Sequence, residues 1–228
     1  MASRYRFYQW SVSPKQFALL RKRLEESEFN DEVSHGVRLT KAGRSFIEGR
    51  YFQKFSYEEQ ELLPGGATST VERVGFVITN FILRPTRCGL VIASPPRSVS
   101  SFMMFVSTLL DHNVTVQSPL LDLIRVKRLV QSILGTCTVT SVKIAGAQLA
   151  ENVVADIAIT DQQDALERAL KLYPQHRRCI GKIDIVHTDA HSGKSRLSVV
   201  RNGSISTTLP RTAIDMLWNV MEEALQEK

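Results

Sequence analysis

Along this chain, predicted helix starts that contain proline alternate with segments rich in β-branched residues. This alternation constrains the fold more than any other pattern in the sequence. The segment Ser13-Pro14-Lys15-Gln16 combines a serine cap, a proline in the first turn and a glutamine at the third helical position. Because the serine and glutamine side chains can each bond the other residue's backbone N–H, this segment predicts a helix that runs to about Glu28. The other predicted helices begin after Ser94-Pro95-Pro96, after Ser118-Pro119, at Thr160 with Gln163, and after Leu209-Pro210.

The segments between the predicted helices are rich in β-branched and aromatic residues, which favour strands. Within Ile180–His187, Ile183 and Ile185 alternate with Lys182 and Asp184, as expected for a strand with one buried face. We therefore predict an α+β fold in which mixed or antiparallel sheets pack against about five helices. The other predicted strands cover 5–10, 37–39, 46–55, 71–83, 89–93, 138–144, 153–159 and 197–207.

Two parts of the chain share one order of elements. Residues 74–110 and 180–225 both read strand, turn, strand, proline and helix. This repetition suggests two related lobes of β-hairpin-helix units, although the same order also arises by chance.

A Pro/Gly/Ser-rich stretch from Leu63 to Ser69 is the best candidate for a boundary. It predicts an N-terminal basic β-α-ββ segment of residues 1–63 and a main α+β domain of residues 69–228. The alternative is a surface loop inside one compact domain of residues 1–228. The acidic residues just before the stretch, 58–61, predict a solvated loop or a short helical turn.

The composition predicts a cytoplasmic protein without a membrane partner or a cofactor. No apolar run approaches the roughly 20 residues that a membrane-spanning helix needs, and the N-terminus lacks the apolar core of a signal peptide. The three cysteines, Cys88, Cys137 and Cys179, are isolated in the sequence. They therefore predict neither a disulfide framework nor a zinc site.

Basic residues are concentrated in two blocks, which favour a polyanion as the ligand. Residues 1–54 carry eleven Lys/Arg against six Asp/Glu, and residues 175–211 carry seven against two, in a chain of net charge +6. Aromatic residues are interleaved with the first block, and a sheet face with cations and aromatics can bind phosphates and unstacked bases. The predicted contacts with DNA or RNA are Arg4, Arg6, Arg21, Lys22, Arg23, Arg38, Lys41, Arg44, Arg50, Arg177, Arg178, Lys182, Lys194, Arg196 and Arg201.

The same residues also fit an ordinary solvated surface. Cations at alternate strand positions are typical of an outward face, and Glu25, Glu26 and Glu28 can neutralise the cations of the first helix. No RNP, KH, helix-turn-helix or zinc-finger motif accompanies the charge. The prediction of nucleic-acid binding therefore rests on the charge distribution alone.

The turn His187-Thr188-Asp189-Ala190-His191 is the candidate for a metal or acid–base site. The side chains of His187, Asp189 and His191 are chemically suited to bind a metal, but a turn does not ensure that they converge. No catalytic motif stands elsewhere in the chain, so a non-catalytic role is favoured over an enzymatic one.

Three functions stay open on the sequence. The first is a non-catalytic binding module that engages nucleic acid or another polyanion through basic surfaces. The second is a protein-interaction or assembly subunit of a bacterial or phage complex, acting as sensor, adaptor or inhibitor, for instance in antiviral defence. It would contact a protein partner or a second copy through the C-terminal helix or the strand 74–83. The third is a metal-dependent hydrolase centred on His187–His191.

Overall fold

The fold is α+β, as predicted. The computed structural model of the protein describes residues 2–226 apart from Asp31, Leu63, Gly65, Ala67, residues 190–192 and the side chain of Asp189. The helices are α1 (Pro14–Glu26), α2 (Ser100–Leu109), α3 (Leu123–Leu134), α4 (Ala165–Leu172) and α5 (Ile214–Glu223), with short 3₁₀ helices at Pro174–Cys179 and Arg211–Ala213. The strands are β1 (Ser3–Trp10), β2 (His35–Ala42), β3 (Ile47–Leu62), β4 (Thr68–Leu83), β5 (Leu90–Ala93), β6 (Val116–Gln117), β7 (Cys137–Ala150), β8 (Val153–Thr160), β9 (Ile180–Asp189), β10 (Gly193–Val200) and β11 (Ser204–Thr207).

The chain forms two compact units, each made of separate chain segments. Unit 1 contains the described residues of 2–10, 86–91 and 116–226, and unit 2 contains those of 11–85 and 92–115. One of the four boundaries between the units, after Val91, falls within β5. The stretch from Leu63 to Ser69 joins β3 to β4, which are paired over sixteen residue pairs within unit 2. Separate folding of residues 1–63 stays a prediction.

Unit 2 is built on an antiparallel sheet in which β3 lies between β2 and β4. The predicted capping box at the start of α1 is confirmed, because Ser13 and Gln16 bond each other's backbone N–H groups. Helix α2 packs on one face of the sheet through aromatic rings: Phe102 stacks on Phe81 at 4.9 Å between centroids. That contact leaves the opposite face of the sheet to polar and aromatic side chains.

Unit 1 is built on a six-stranded antiparallel sheet with the order β1-β11-β10-β9-β7-β8. Its buried face carries apolar side chains such as Phe7, Ile183 and Ile185, which alternate with half-buried or exposed residues along each strand. Helix α5 packs on this face through Trp218, whose ring meets Phe7 edge to face at 5.8 Å. The alternation predicted for β9 is thereby confirmed.

Two predicted helix starts are wrong by several residues. Helix α3 begins at Leu123, not after Pro119, because the Asp122 carboxylate accepts hydrogen bonds from two N–H groups of the first turn. Helix α4 likewise begins after Asp164, whose carboxylate caps it, and not at Thr160. In both cases an aspartate further along the chain caps the helix, and aspartate is as good a cap as serine.

Two further predictions, one of a loop or helical turn and one of a strand, also need correction. The acidic residues 58–61 lie in β3, because the facing residues of β4 supply strand pairing along the whole segment. The predicted strand 197–207 is two strands, β10 and β11, separated by a tight turn at Gly203. Gly203 has φ +84°, and a Cβ there would lie 2.6 Å from Pro119 and 2.7 Å from the Phe7 carbonyl oxygen. Only glycine fits both the backbone conformation and the space.

Candidate nucleic-acid interface

The sheet of unit 1 presents a second face, turned away from its helices, which we call the outer face. It carries the side chains that alternate with the apolar core: Arg4 and Arg6 on β1, Ser204 and Ser206 on β11, Lys194, Arg196, Ser198 and Val200 on β10, and Lys182, Asp184 and Val186 on β9. These side chains are exposed or half-buried. The outer face is therefore polar and open to solvent.

One row of polar residues crosses all six strands of the outer face. Thr160 faces Ser141, Ser141 faces Asp184, and Asp184 faces Ser198. Ser198 then faces Ser206, which faces Arg4 at the end of the row. With neighbouring strands about 4.8 Å apart, the row is roughly 25 Å long. We call it the hydroxyl row, because four of its six residues are Ser or Thr.

Five of the six residues of the hydroxyl row, all but Arg4, line an open groove of about 740 Å³. Thr140 and Thr208 add further hydroxyls to its lining, and Lys194 and Arg196 add cations. Hydroxyl groups both donate and accept hydrogen bonds, so this lining suits phosphate and sugar oxygens.

The charges of the outer face are predominantly uncompensated cations. Within the described part of the chain, Arg4, Lys194 and Arg196 form no ion pair. The Asp184 carboxylate of the hydroxyl row is neutralised by Lys182, at 3.1 Å between Nζ and Oδ1. The face therefore attracts anions.

Arg6 and Tyr8 on β1 add two buried polar atoms to this set. The Arg6 guanidinium lies 5.2 Å from the centre of the Tyr8 ring. Arg6 Nε and the Tyr8 hydroxyl are buried and have no hydrogen-bond partner among the described residues. Burial raises the pKa of Tyr8, and the Arg6 charge only partly opposes this, so the hydroxyl stays protonated and able to donate.

Unit 2 carries an aromatic face on the side of its sheet away from α2. Phe29 stacks on Phe52 at 5.0 Å and meets Phe76 edge to face at 6.0 Å. The Arg38 guanidinium lies 5.5 Å from the Phe52 ring centre, and Arg50 faces Arg38 across the β2–β3 pair. Phe76 is 49% exposed, so one ring of this aromatic face is available for stacking.

The cations of α1 lie in a different setting. Arg21 and Lys22 pair with Glu25 and Glu26 one turn further along, at 3.9 and 3.7 Å. Arg23 donates to Asp111 Oδ1 at 2.9 Å and to the Leu109 carbonyl at 2.6 Å. Each of the three predicted helix contacts is thus partly neutralised.

The remaining predicted contacts lie at two other places. Lys41 is near the end of β2, opposite Glu48, and Arg44 is in the turn that follows. Arg177, Arg178 and Arg201 line one cleft of unit 1 together with Arg125, which the sequence analysis did not single out. Arg125 lies on a helix whose other residues form an ordinary amphipathic pattern, so only the tertiary structure brings it to the other three.

His187 is held by the backbone on the buried face of the unit 1 sheet. Its Nδ1 lies 3.1 Å from the Thr136 carbonyl oxygen and 3.9 Å from Cys137 Sγ. His191 and the Asp189 side chain lie outside the described residues. Within the described part of the chain, no three His, Cys, Asp or Glu side chains are grouped to hold a metal ion.

The buried cysteine Cys88 is placed beside a carboxylate. Its backbone N–H donates to Glu222 at 2.7 Å, and the N–H of Arg87 donates to the same carboxylate at 2.9 Å. Burial, and to a lesser extent the Glu222 charge, raises the pKa of the Cys88 thiol to about 12. The thiol is therefore protonated at neutral pH and a poor nucleophile.

Comparisons with known proteins do not assign this chain to a group. Neither the models of known protein families nor the set of curated proteins contains a match to it. Among the described residues, no helix combines the length and apolar character required to cross a membrane.

Proposed function

We propose that this protein binds single-stranded nucleic acid without catalysis, through the outer face of unit 1 and the aromatic face of unit 2. The proposal rests on the hydroxyl row, which ends at Arg4 and lies beside Lys194 and Arg196. Phosphate oxygens accept hydrogen bonds from hydroxyls and pair with cations that have no carboxylate partner. None of these contacts depends on base identity, so binding is independent of sequence.

The aromatic face favours binding of a single strand over binding of a duplex. Base stacking on an aromatic ring requires an unpaired base and contributes about 1–3 kcal/mol per base. Phe76 offers an exposed ring, and Arg38, Arg50 and Lys54 lie on the same side of the sheet to contact phosphates. The combination of exposed ring and cations fits an unstacked strand better than a paired helix.

We also propose that residues 74–110 and 180–225 are two related β-hairpin-helix lobes. Strands β5 and β11 have four residues each, and helices α2 and α5 have ten each, at the same spacing within their segments. The offset between β5 and β11 pairs identical residues at Leu83 and Leu197, Arg87 and Arg201, Gly89 and Gly203, Pro96 and Pro210, Arg97 and Arg211, and Val106 and Val220. Val91 and Ile205, and Ser94 and Thr208, are similar in type.

Charge-removing variants test the proposed binding. We expect Arg4→Gln/Arg196→Gln in unit 1 and Arg38→Gln/Arg50→Gln in unit 2 each to weaken binding of a labelled oligonucleotide by about tenfold or more, because each removes two phosphate contacts. Fluorescence anisotropy with single-stranded DNA and RNA of one sequence, and with the duplex, measures the effect.

The matched control is Arg21→Gln/Lys22→Gln on α1. It removes the same two charges, but these cations already pair with Glu25 and Glu26. We expect it to change the affinity less than about twofold. Equal weakening by all three variants would mean that net charge alone drives binding, and duplex binding as tight as single-strand binding would rule out the aromatic face.

As a second candidate, we propose that the chain self-associates through the far end of the β3–β4 hairpin, residues 55–62 and 68–75, which we call the arm. Phe55, Tyr57 and Val74 in the arm are 44%, 45% and 49% exposed. Strand β2 pairs with β3 only as far as Gln53, so the edge of β3 in the arm has no strand partner among the described residues. Burial of these three side chains and of the unpaired backbone groups favours pairing with the same edge of a second copy.

Sedimentation velocity tests the second candidate. We expect the wild-type chain to form a dimer and Tyr57→Glu/Val74→Glu to be monomeric, because the added carboxylates join Glu58, Glu59 and Glu61 and like charges repel across a paired edge. Met104→Glu/Leu172→Glu, which adds the same charge at exposed apolar positions of α2 and α4, keeps the dimer. A monomeric wild-type protein at micromolar concentration contradicts this candidate.

A further inference from the structure

Four arginines of unit 1 line one open cleft of about 790 Å³, which we call the arginine cleft. Arg125 comes from α3, Arg177 and Arg178 from the 3₁₀ helix that precedes β9, and Arg201 from the turn between β10 and β11. Asp122, Leu225 and Gln226 complete its lining. This cleft shares no residue with the groove on the outer face.

Backbone hydrogen bonds fix the segments that form the arginine cleft. The Leu121 N–H donates to the Arg201 carbonyl at 3.0 Å, and the Arg201 N–H donates to the Gly181 carbonyl at 2.9 Å. The Asp122 N–H donates to the Ala224 carbonyl at 2.9 Å. The start of α3, the β10–β11 turn and the C-terminal segment are therefore joined before any ligand arrives.

The Arg201 side chain is held in place by neutral oxygens. Its Nη1 donates to the Arg178 carbonyl at 2.6 Å, and its Nη2 donates to Gln226 Oε1 at 3.2 Å. Neither acceptor carries a charge, so the guanidinium keeps its full positive charge while its position is fixed. A cation that is ordered in advance binds an anion without a further loss of side-chain entropy.

The charges of the arginine cleft do not balance. Asp122 is the carboxylate in its lining, and its Oδ1 is engaged in capping α3 by bonds from the Ile124 and Arg125 N–H groups. Across the described residues, none of the four arginines has a carboxylate within ion-pair distance. Like charges repel, so an anionic ligand that binds in the cleft offsets the repulsion among its four guanidinium groups.

We propose that the arginine cleft binds a linear polyphosphate group, as carried by a nucleoside triphosphate or by the 5′ end of a nucleic acid. Guanidinium groups bind phosphate oxygens in a bidentate manner, and a triphosphate places several negative charges on adjacent phosphorus atoms. A single phosphodiester carries one charge and can pair with only one or two of the arginines. The inference is independent of nucleic-acid binding by the outer face.

Isothermal titration calorimetry with inorganic tripolyphosphate tests the site directly. We expect one tripolyphosphate to bind per chain, at least about tenfold more tightly than orthophosphate, and Arg177→Gln/Arg178→Gln to weaken its binding by at least about tenfold. The matched control, Arg128→Gln/Lys171→Gln, removes two exposed cations of α3 and α4 outside the cleft and leaves the affinity unchanged. Arg38→Gln/Arg50→Gln, which tests the aromatic face, also leaves it unchanged.

Two further ligands separate the sources of the polyphosphate. The first ligand is a nucleoside triphosphate. The second is an oligonucleotide of one sequence, prepared in two forms, one with a 5′-triphosphate and one with a 5′-hydroxyl. Tighter binding of the 5′-triphosphate form, lost in Arg177→Gln/Arg178→Gln, identifies a nucleic-acid end. Binding of the nucleotide, with no difference between the two oligonucleotides, identifies a free nucleotide. Failure of tripolyphosphate to bind, equal binding of orthophosphate, or unchanged binding in Arg177→Gln/Arg178→Gln overturns the proposal.

Discussion

We expect the affinity of this protein for a single-stranded oligonucleotide to fall by about 10³-fold between about 50 and 200 mM KCl. Seven cations on the outer and aromatic faces lack an ion pair among the described residues: Arg4, Arg6, Arg38, Arg50, Lys54, Lys194 and Arg196. Each phosphate contact releases counterions, and single strands give a slope of log K against log salt of about −0.7 per contact. Seven contacts therefore predict a slope of about −5.

Anisotropy titrations over a series of salt concentrations measure this slope. The variant Arg38→Gln/Arg50→Gln lowers its magnitude by about 1.4, because two contacts are lost. Arg21→Gln/Lys22→Gln leaves it near the wild-type value. A slope close to zero, or no binding at the lowest salt, contradicts nucleic-acid binding through these faces.

The largest expected effect on stability comes from Trp218. Its side chain is 2% exposed, packs edge to face on Phe7, and donates through Nε1 to the Thr86 hydroxyl at 3.3 Å. We expect Trp218→Ala to lower the free energy of unfolding of unit 1 by about 3–5 kcal/mol, because it removes a large buried ring and leaves a cavity against the sheet. Urea unfolding followed by far-UV circular dichroism gives this difference.

Leu172→Ala is the control for Trp218→Ala. Leu172 ends α4 in the same unit and is 59% exposed, so we expect a change below about 0.5 kcal/mol. Trp218→Phe keeps most of the buried volume and separates packing from the bond to Thr86. If Trp218→Ala lowers the free energy of unfolding by less than about 1 kcal/mol, the packing of α5 on the sheet does not stabilise unit 1 as described.

Local sequence signals predicted an element correctly where the interactions that form the element join residues close together in the chain. The capping box of α1 joins residues three apart, and the alternation in β9 needs only one buried face. Where two caps compete within a few residues, as Ser118 and Asp122 do, the local pattern is ambiguous. Tertiary contacts then decide, and the backbone bond from Leu121 to Arg201 keeps the preceding segment extended.

The candidate sites depend on contacts between residues far apart in the chain. The hydroxyl row joins Arg4 to Ser206 and Ser141 to Thr160 through strand register, which no single strand encodes. The arginine cleft joins Arg125 to Arg201 through the packing of α3 beside a turn. The aromatic face joins Phe29 to Phe76 through contacts between elements far apart in the chain.

The α+β class, the approximate position of each helix and the two basic blocks can be predicted from the sequence, because propensity, capping and charge are properties of neighbouring residues. Tertiary contacts set which cations are neutralised and which share a surface. On α1, Arg21, Lys22 and Arg23 each have a carboxylate one turn away or on a facing segment, whereas Arg4 and Arg196 face hydroxyl and apolar neighbours. The physical reason is that pairing across a sheet sets the distance between charges, and that distance cannot be read along the chain.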